Sequence, residues 1–370
     1  LHPQRRRQRQ MCIRDSNCNT WFLFSIFMSI QAKIDTIIKS VGSINIQDFV
    51  EISNFDKDSG FYNKPKIEKI GKDGQFITSP EISSLFSIAL SNQFLKEFPK
   101  AKNVNLLELG PGNGILTLDI YHYLKSKNIN VNNITLLERS DYFKGKIFEI
   151  SDLKVKFIEN IYDYEIDNED TVFIYSNEFF DAFGSKQFIF NNGDFNEIKI
   201  SKENNKYFLI QESVAISEEL IDRYSKYKFK NNDILEHSNL ILNILNDIQN
   251  LNCKNYFFTT TDYGYTKLPL KSTLRLLSSH KKLDLFDKFE NVDYSFGVNF
   301  ELLKDFFISK NPQIINQKDL ICNNLPNEYL KSSNKNIREI IELISGEKFN
   351  DMGQVFLNLS FKNDEAISKI

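Results

Sequence analysis

The most constraining feature of this chain is a glycine-rich turn between an apolar strand and a helix. Residues 106–117 read Leu-Leu-Glu-Leu-Gly-Pro-Gly-Asn-Gly-Ile-Leu-Thr. Gly110, Gly112 and Gly114 allow a tight turn and a close approach to a ligand, because no Cβ stands in the way. The amides that follow point outward at a helix N-terminus. The pattern predicts a cradle for a nucleotide-like cofactor, with an ordinary tight turn as the simpler alternative.

Two details of the turn favour one class of cofactor. A dinucleotide-binding turn carries Gly or Ala three residues after its second glycine, where this chain has Ile115. Glu108 comes just before the first glycine, and a carboxylate there repels phosphates but attracts a sulfonium or an amino group. Both observations favour S-adenosylmethionine (SAM). A nicotinamide-dependent oxidoreductase remains an alternative at this point.

The order of apolar segments predicts a doubly wound α/β sheet. Helices at 114–126 and 140–150 alternate with strands, which are predicted at 104–109, 133–138, 154–158, 171–176 and 256–261. A β-meander at 187–212 and two helices within 217–251 interrupt this order and are expected to cover the mouth of the active site. Helices at 299–309 and 336–345 and a strand at 354–361 complete the chain.

Two further helices are predicted before the glycine turn. After Met28, apolar residues recur on one helical face at Ile30, Ile34, Ile37, Ile38 and Val41. A second helix is predicted within 76–98, with Ser79 as N-cap, Pro80 at the first helical position and Glu81 near the positive end of the dipole.

The first 27 residues differ from the remainder, because an arginine-rich run precedes a short apolar run. They are either a targeting segment or a non-native leader, and we favour the leader, with Met28 as the native start. The apolar run is too short to span a bilayer. We expect a cytoplasmic protein, or a mitochondrial one if the host is eukaryotic and the leader is real.

The predicted domain boundaries follow from these segments. They are a leader at 1–27, an N-terminal helical cap at 28–100, the first part of a Rossmann-like core at 101–183, an inserted subdomain at 184–252, and core completion with the C-terminal part at 253–370.

Composition excludes several classes of function. The net charge is −3 and the basic residues are not clustered, which is not the pattern of a nucleic-acid-binding surface. The four cysteines and four histidines show no metal-ligand spacing, so we predict no metal and no disulfide framework. No segment beyond the leader is expected to cross a membrane.

Polar residues at the ends of the predicted strands form the candidate site, because ligands of such sheets bind at the carboxyl ends of the strands. Glu138 could accept both ribose hydroxyls of an adenosine, in SAM or in NAD. Glu178 and Asp181 are three residues apart, so one helical turn would place both carboxylates on one side to clamp a guanidinium or an amine. Asn177 could hold a nitrogen nucleophile. A capped helix start is the alternative for this segment.

Several motifs in fixed order resemble the MidA-like SAM-dependent methyltransferases over about residues 28–362. They are Gly74-Gln-Phe-Ile-Thr-Ser-Pro-Glu-Ile82, Glu108-Leu-Gly-Pro-Gly-Asn-Gly114, Ser176-Asn-Glu-Phe-Phe-Asp-Ala182, Asp262-Tyr-Gly-Tyr265, Ser272-Thr-Leu-Arg275 and Asp351-Met-Gly353. The resemblance implies a class I methyltransferase fold, SAM as methyl donor and an arginine on a partner protein as acceptor. It also implies a role in assembling respiratory complex I, since mitochondrial members of the family assist that assembly.

The resemblance also implies residue roles. It places Glu138 at the ribose, Asn160 near the adenine, and Asn177, Glu178 and Asp181 at the acceptor. The remaining cofactor contacts that we predict are Thr78, Pro80, Glu81, Glu108, Gly110, Gly112 and Gly114.

The chain departs from the family pattern at four positions, three of which are asparagines. Asn113 stands where members often have Arg, Gly184 where they often have Pro, and Asn160 and Asn299 where acidic residues are expected. These departures leave a non-catalytic SAM-binding assembly factor as the alternative function. The resemblance further places His280 and Arg275 near a substrate channel, with a surface role as the alternative for each.

Overall fold

The computed structural model describes residues 28–64, 69, 77–150, 152–166, 171–278, 281–346 and 351–364. Its strands are β1 (Ile44–Asn45), β2 (Asn103–Leu109), β3 (Asn130–Leu137), β4 (Lys156–Ile158), β5 (Thr171–Asn177), β6 (Lys186–Asn191), β7 (Asp194–Glu203), β8 (Lys206–Ser213), β9 (Ile234–His237), β10 (Asn255–Tyr265), β11 (Arg275–Ser278), β12 (Lys281–Lys282), β13 (Asp293–Ser295), β14 (Val298–Asn299), β15 (Gln313–Asn316) and β16 (Phe356–Asp364). Its α-helices are α1 (Ile30–Val41), α2 (Ile46–Phe55), α3 (Ser79–Ile82), α4 (Leu85–Glu97), α5 (Ile115–Ser126), α6 (Asp141–Ile150), α7 (Glu218–Tyr224), α8 (Asn239–Gln249), α9 (Phe300–Phe306), α10 (Gln317–Asn324), α11 (Asn327–Leu330), α12 (Lys335–Ser345) and α13 (Met352–Val355). Short 3-10 turns lie at Phe61–Asn63, Ile161–Asp163, Phe180–Ala182 and Ile308–Lys310.

The central sheet has the strand order β15-β16-β10-β5-β2-β3-β4, and β14 pairs with β10. Strands β4, β3, β2, β5 and β10 run parallel to one another, while β16 is antiparallel to β10. The chain reverses direction across the sheet at β2, since β3 and β4 lie on one side of it and β5 and β10 on the other. The carboxyl ends of the parallel strands therefore meet at one edge, which is where ligands bind in such sheets.

Helices cover both faces of this sheet, as the alternation of side chains along β5 makes clear. Phe173 packs in a core with residues of α4, α5, α10 and α12. Val172 and Ile174 point to the opposite face and pack with residues of α8 and α9. Because both faces are buried, the parallel strands are apolar almost without interruption. The predicted doubly wound α/β class is confirmed.

A second sheet is built from four strands of the segment between β5 and β10 together with β1 from the N-terminal region. Its order is β1-β7-β6-β9, and β8 pairs with β7. The meander β6–β8 confirms the prediction for 187–212, while β9 lies between the two predicted helices and was not predicted. Helices α1 and α2 share one core with β6, β7 and the segment around β13. The N-terminal helices, the meander and the segment around β13 thus share one core although they are distant in the sequence. The domain boundaries remain a prediction.

The prediction for residues 76–98 requires correction. The N-cap position is Thr78, and Ser79 is the first helical residue, with its Oγ donating to Oε1 of Gln317 at 3.2 Å. The helix is also not continuous, since Ser83 is extended and its Oγ accepts from the Leu85 amide at 3.2 Å. A serine that bonds the backbone of the following turn competes with helix continuation. The chain therefore forms two helices, α3 and α4.

Helix α1 confirms the predicted amphipathic helix after Met28, apart from its last residue. Ile30, Ile34 and Ile38 are buried, but Val41, the last residue of the helix, is 71% exposed. Helix α2, the short strands β11–β15 and helices α10, α11 and α13 were not predicted, because most of them span fewer than two turns or a few paired residues. None of the helices in the described part of the chain has both the length and the apolar character needed to cross a membrane.

Candidate active site

A cavity of about 710 Å³ opens at the carboxyl ends of β2, β3 and β5. It brings together residues that lie up to 305 positions apart in the sequence, from Glu51 to Phe356. Eleven of the twelve predicted site residues line it, namely Thr78, Pro80, Glu81, Glu108, Gly110, Gly112, Glu138, Asn160, Asn177, Glu178 and Asp181. Gly114 is not among the residues that line the cavity, and its role as a cofactor contact stays a prediction.

The glycine turn has the backbone conformation that the sequence requires. Gly110 has φ +66°, and a Cβ there would lie 2.5 Å from Cδ2 of Phe179. Gly114 has φ +84°, and a Cβ there would lie 2.9 Å from Cγ1 of Ile147 in α6. Gly110 therefore keeps the turn close to the segment after β5, whereas Gly114 serves helix packing.

Helix α3 is tied to the glycine turn by a side-chain hydrogen bond. Nδ2 of Asn113 donates to Oε1 of Glu81, and Oδ1 of Asn113 accepts from the Ile115 amide at 3.3 Å. Asn113 thus bridges two segments of the cavity wall in place of the arginine that the family pattern often has. Thr78 and Pro80 line the same wall and are buried.

Two glutamates of the cavity wall, the buried Glu108 and the half-buried Glu138, have raised pKa values. Glu108 is 2% exposed and accepts a hydrogen bond from Oγ1 of Thr117, which also contacts the hydroxyl of Tyr175 at 2.6 Å. Burial raises the pKa of Glu108 to about 8. Glu138 follows β3, its Oε1 accepts from the Ser140 amide at 2.6 Å, and burial raises its pKa to about 7. A bound cation would favour the ionised form of both carboxyl groups.

The segment after β5 carries the predicted acceptor residues, but not on a helical turn. Glu178 has φ +51°, in the left-handed region, and a 3-10 turn follows at Phe180–Ala182. Nδ2 of Asn177 donates to Oε1 of Glu178 at 3.0 Å, and Oδ1 of Asn177 is buried without a hydrogen-bond partner. This turn places the carboxyl group of Asp181 near that of Glu178. Burial first, and then the neighbouring Asp181, raise the pKa of Glu178 to about 8.

Three acidic or phenolic side chains that sequence reasoning did not assign also belong to this region. Tyr62 and Asp293 line the cavity, and the Tyr62 hydroxyl donates to Oδ1 of Asp293 at 2.9 Å across 231 residues. Burial raises the pKa of Asp293 to about 6. Asp262 lies behind the segment after β5, and burial, followed by the charge of Asp262, raises the pKa of Asp181 well above its ordinary value. Asp262 begins the family motif Asp262-Tyr-Gly-Tyr265, which could have indicated its importance. No sequence pattern indicated Tyr62 or Asp293.

The cavity wall is strongly acidic. Of the described residues that line it, three are basic and ten are acidic: Glu51, Glu81, Glu108, Glu138, Asp141, Glu159, Glu178, Asp181, Asp247 and Asp293. Two of the basic residues stack on aromatic rings, with Cζ of Arg139 4.5 Å from the Phe55 centroid and Cζ of Arg275 3.7 Å from the Tyr263 centroid. Such a wall suits a ligand with net positive charge and opposes a pyrophosphate. The glycine turn and these carboxyl groups fit SAM, which carries a sulfonium and an amino group.

Asn160 and Asn299, which stand where the family pattern has acidic residues, lie in different places in the structure. Asn160 lines the cavity, and its Nδ2 contacts Oδ2 of Asp163 at 3.4 Å. Asn299 lies outside this cavity and caps α9, where its Oδ1 accepts from the Leu302 amide at 3.0 Å. An asparagine is among the best N-caps, so Asn299 has a structural role. Arg275 lies at the cavity, and His280 lies outside the described residues.

The fold and the site together define a SAM-binding α/β protein of the methyltransferase type. A family model described as "Putative S-adenosyl-L-methionine-dependent methyltransferase" matches residues 89–314, which is more than half of the chain. The chain belongs to this family of SAM-dependent methyltransferases, and SAM is its cofactor. The MidA-like resemblance is confirmed at this level.

Curated relatives match a part of this chain, and solved structures share its fold. The chain is 38% identical over 86 residues to the mouse protein named "Protein arginine methyltransferase NDUFAF7, mitochondrial", and 37% identical over 86 residues to the human protein of that name. Each match covers 22% of this chain and 19% of the relative, so the chain spans about a fifth of the length of these relatives. A Burkholderia thailandensis structure bound to S-adenosylhomocysteine has a TM-score of 0.73 and 14% identity, and 95% of each chain is covered. A second structure from that organism has a TM-score of 0.74, and both show the same fold.

Proposed function

We propose that this protein transfers a methyl group from SAM to an arginine side chain of a partner protein. The observation that carries the proposal is the acidic end of the cavity at Glu178, Asp181 and Asp293. Among the ion pairs of the described residues, none joins these carboxyl groups to a Lys or Arg within 4.0 Å. Asp293 is buried, and Glu178 and Asp181 are half-buried. Carboxyl groups that are withdrawn from water and lack a cation of their own favour the entry of one from a substrate.

The residues can be assigned roles on this proposal. When bound, SAM supplies an electrophilic methyl group on a sulfonium sulfur. Gly110 and Gly112 would let the backbone approach the methionine part, with Thr78, Pro80, Glu81 and Glu108 around it. Glu138 would hold the ribose, and Asn160 would lie near the adenine. The geometry in support is that all of them line one cavity.

The acceptor residues answer a specific chemical difficulty. A guanidinium has a pKa above 12, so its nitrogens have no lone pair to offer in solution. Glu178 and Asp181 would bind two of its nitrogens and hold the positive charge there, which leaves electron density on the third. The buried Oδ1 of Asn177 would accept from that nitrogen, and a carboxylate of the pair would take its proton. Holding the groups in this geometry is the main source of rate.

The nature of the acceptor rests on the relatives. Proteins that match this chain over 86 residues carry the name protein arginine methyltransferase, with a mitochondrial location. The resemblance implies a respiratory complex I-type subunit as the partner, and we adopt that class of partner in the proposal. The cellular location stays a prediction.

Labelled methyl transfer tests the proposal. The full chain is incubated with isotopically labelled SAM and a soluble extract of its source organism, and labelled proteins are hydrolysed to identify methylarginine. We expect one discrete labelled protein, whose label is lost with Asp181→Asn and retained with Asp305→Asn, an aspartate paired with Lys226 on the surface. SAM binding by calorimetry without any label would refute methyl transfer to protein and support the non-catalytic SAM-binding assembly factor.

A further inference from the structure

The carboxyl group of Asp262 is fully buried and accepts hydrogen bonds from backbone amides of the segment that carries the acceptor residues. Its Oδ2 accepts from the amides of Phe179 at 3.1 Å, Phe180 at 2.9 Å and Asp181 at 3.3 Å. Its Oδ1 accepts from the amide of Tyr263 at 2.9 Å. Consecutive amides that converge on one oxygen form the kind of concavity that backbone turns use to bind anions. Here the anion site is filled by a side chain of the same protein.

The sheet explains how Asp262 reaches this position. Strands β5 and β10 pair in parallel with Asn177 opposite Thr261, and the Glu178 amide donates to the carbonyl oxygen of Thr261 at 2.9 Å. Strand β5 ends there, while β10 continues, so the next residue of β10 lies beside the turn that leaves β5. On the far side of the turn, the carbonyl oxygen of Asp181 accepts from the Phe296 amide at 2.8 Å.

The turn that is held in this way is strained. Glu178 has φ +51°, a left-handed conformation that is unfavourable for a residue with a Cβ. Such a conformation persists only where surrounding contacts impose it, and it is typical of functional sites. The amides bound by Asp262 follow Glu178 directly, so they are the contacts that can impose it.

Asp262 itself is not among the residues that line the cavity, whereas Asn177, Glu178 and Asp181 are. We propose that Asp262 is the positioning residue of the acceptor end, which builds the turn at 178–182 and thereby sets the rate of methyl transfer without touching SAM. The inference rests on the proposed function, because it requires that Glu178 and Asp181 face the acceptor. It assigns to β10 a role that is separate from cofactor binding.

The isosteric variant Asp262→Asn removes hydrogen bonds while it keeps the volume. The asparagine side chain has only one acceptor oxygen. Its NH2 group must therefore face either the three backbone N–H groups of the turn or the backbone N–H of Tyr263, and those hydrogen bonds are lost. Thr260→Val is the matched control, because it removes a buried hydrogen bond of the same strand, from Oγ of Ser176 to Oγ1 of Thr260 at 2.7 Å, without touching the turn. Asp262→Glu keeps the carboxyl group but displaces it by one methylene.

Three measurements on the full chain test the inference: labelled methyl transfer to the soluble extract, SAM affinity by calorimetry, and amide hydrogen exchange of a peptide covering 177–183. For Asp262→Asn we expect transfer slower by on the order of 100-fold, SAM affinity within about threefold of wild type, and faster exchange at Phe179, Phe180 and Asp181. Thr260→Val should keep wild-type transfer and exchange in this peptide, and Asp262→Glu should fall between.

Wild-type transfer by Asp262→Asn would overturn the inference, as would equal losses in Asp262→Asn and Thr260→Val, since a general loss of stability would then explain both. If the wild-type chain labels no protein, the proposed function fails and hydrogen exchange decides the inference alone. In that case, unchanged protection of the turn in Asp262→Asn overturns it, and a selective loss of protection supports the role of Asp262 in building the turn.

Discussion

Gly110 is the position where one added methyl group tests the glycine turn most directly. Its φ of +66° is unfavourable for a residue with a Cβ, at a cost of about 1–2 kcal/mol. The new Cβ would lie 2.5 Å from Cδ2 of Phe179, where ordinary contacts lie at 3.4–4 Å. Moving that ring adds an overpacking cost of about 1–3 kcal/mol. Gly110→Ala should therefore lower the free energy of unfolding by about 2–5 kcal/mol.

Gly145 supplies a matched control within the same protein. It lies inside α6, it does not have a positive φ, and a Cβ there would meet nothing within 4 Å. Gly145→Ala should raise the free energy of unfolding by about 0.5–1 kcal/mol, because glycine is unfavourable inside a helix. Urea unfolding of both variants, followed by circular dichroism, measures the difference.

SAM binding should be weakened in Gly110→Ala, and it should be unchanged in Gly145→Ala. Displacement of Phe179 disturbs the turn that carries Glu178, so Gly110→Ala should weaken SAM binding by about tenfold or more, which is about 1.4 kcal/mol. Calorimetric titration with SAM measures this. If Gly110→Ala unfolded at the same urea concentration as Gly145→Ala and bound SAM equally well, the close approach of backbone and ring would not be required, and the argument from the turn would be wrong.

Two further predictions concern charge. Glu138→Gln should weaken SAM binding by roughly ten- to 150-fold, since a charge-assisted hydrogen bond contributes about 1.5–3 kcal/mol. Because the pKa of Glu138 is about 7 and that of Glu108 about 8, wild-type SAM affinity should rise as the pH passes through 7, and the rise should be smaller in the variant, where Glu108 still ionises. Glu165→Gln on the surface should behave as wild type. Burial lowers the pKa of His237 from 6.5 to about 4, so between these values the unfolded chain binds more protons and the free energy of unfolding falls as the pH falls, by about 3 kcal/mol in total. His237→Gln should remove this part of the pH dependence in urea unfolding measured from pH 7 to pH 4, and an identical dependence in the variant would contradict the assignment.

The succession of strands and helices of the core along the chain could be predicted because each element is encoded by a few neighbouring residues. Apolar runs such as 104–109 and 171–176 identify strands that are buried on both faces, and the glycines after the first of them mark the strand-to-helix turn. Since parallel strands place their carboxyl ends at one edge, the sequence could also predict that Glu138, Glu178 and Asp181 meet. The structure brings these residues to one cavity.

Short elements and local exceptions could not be predicted in the same way. The break at Ser83 depends on a side chain that bonds the next turn, and the left-handed Glu178 depends on contacts from β10. The tight packing at Gly114 has a similar cause, since the side chain that excludes a Cβ there comes from α6. Local propensity is a weak determinant wherever tertiary contacts decide the conformation.

The sequence by itself determined the class of fold, the kind of cofactor turn and the acidic character of the strand ends, because these are properties of residues close together in the chain. Only the tertiary structure decided that Tyr62 reaches Asp293, that Asp262 holds the turn after β5, and that the N-terminal helices pack on the second sheet. Such contacts join residues 80 to more than 200 positions apart. Their partners are selected by packing and by the burial of polar groups, which the pattern of any one segment does not contain.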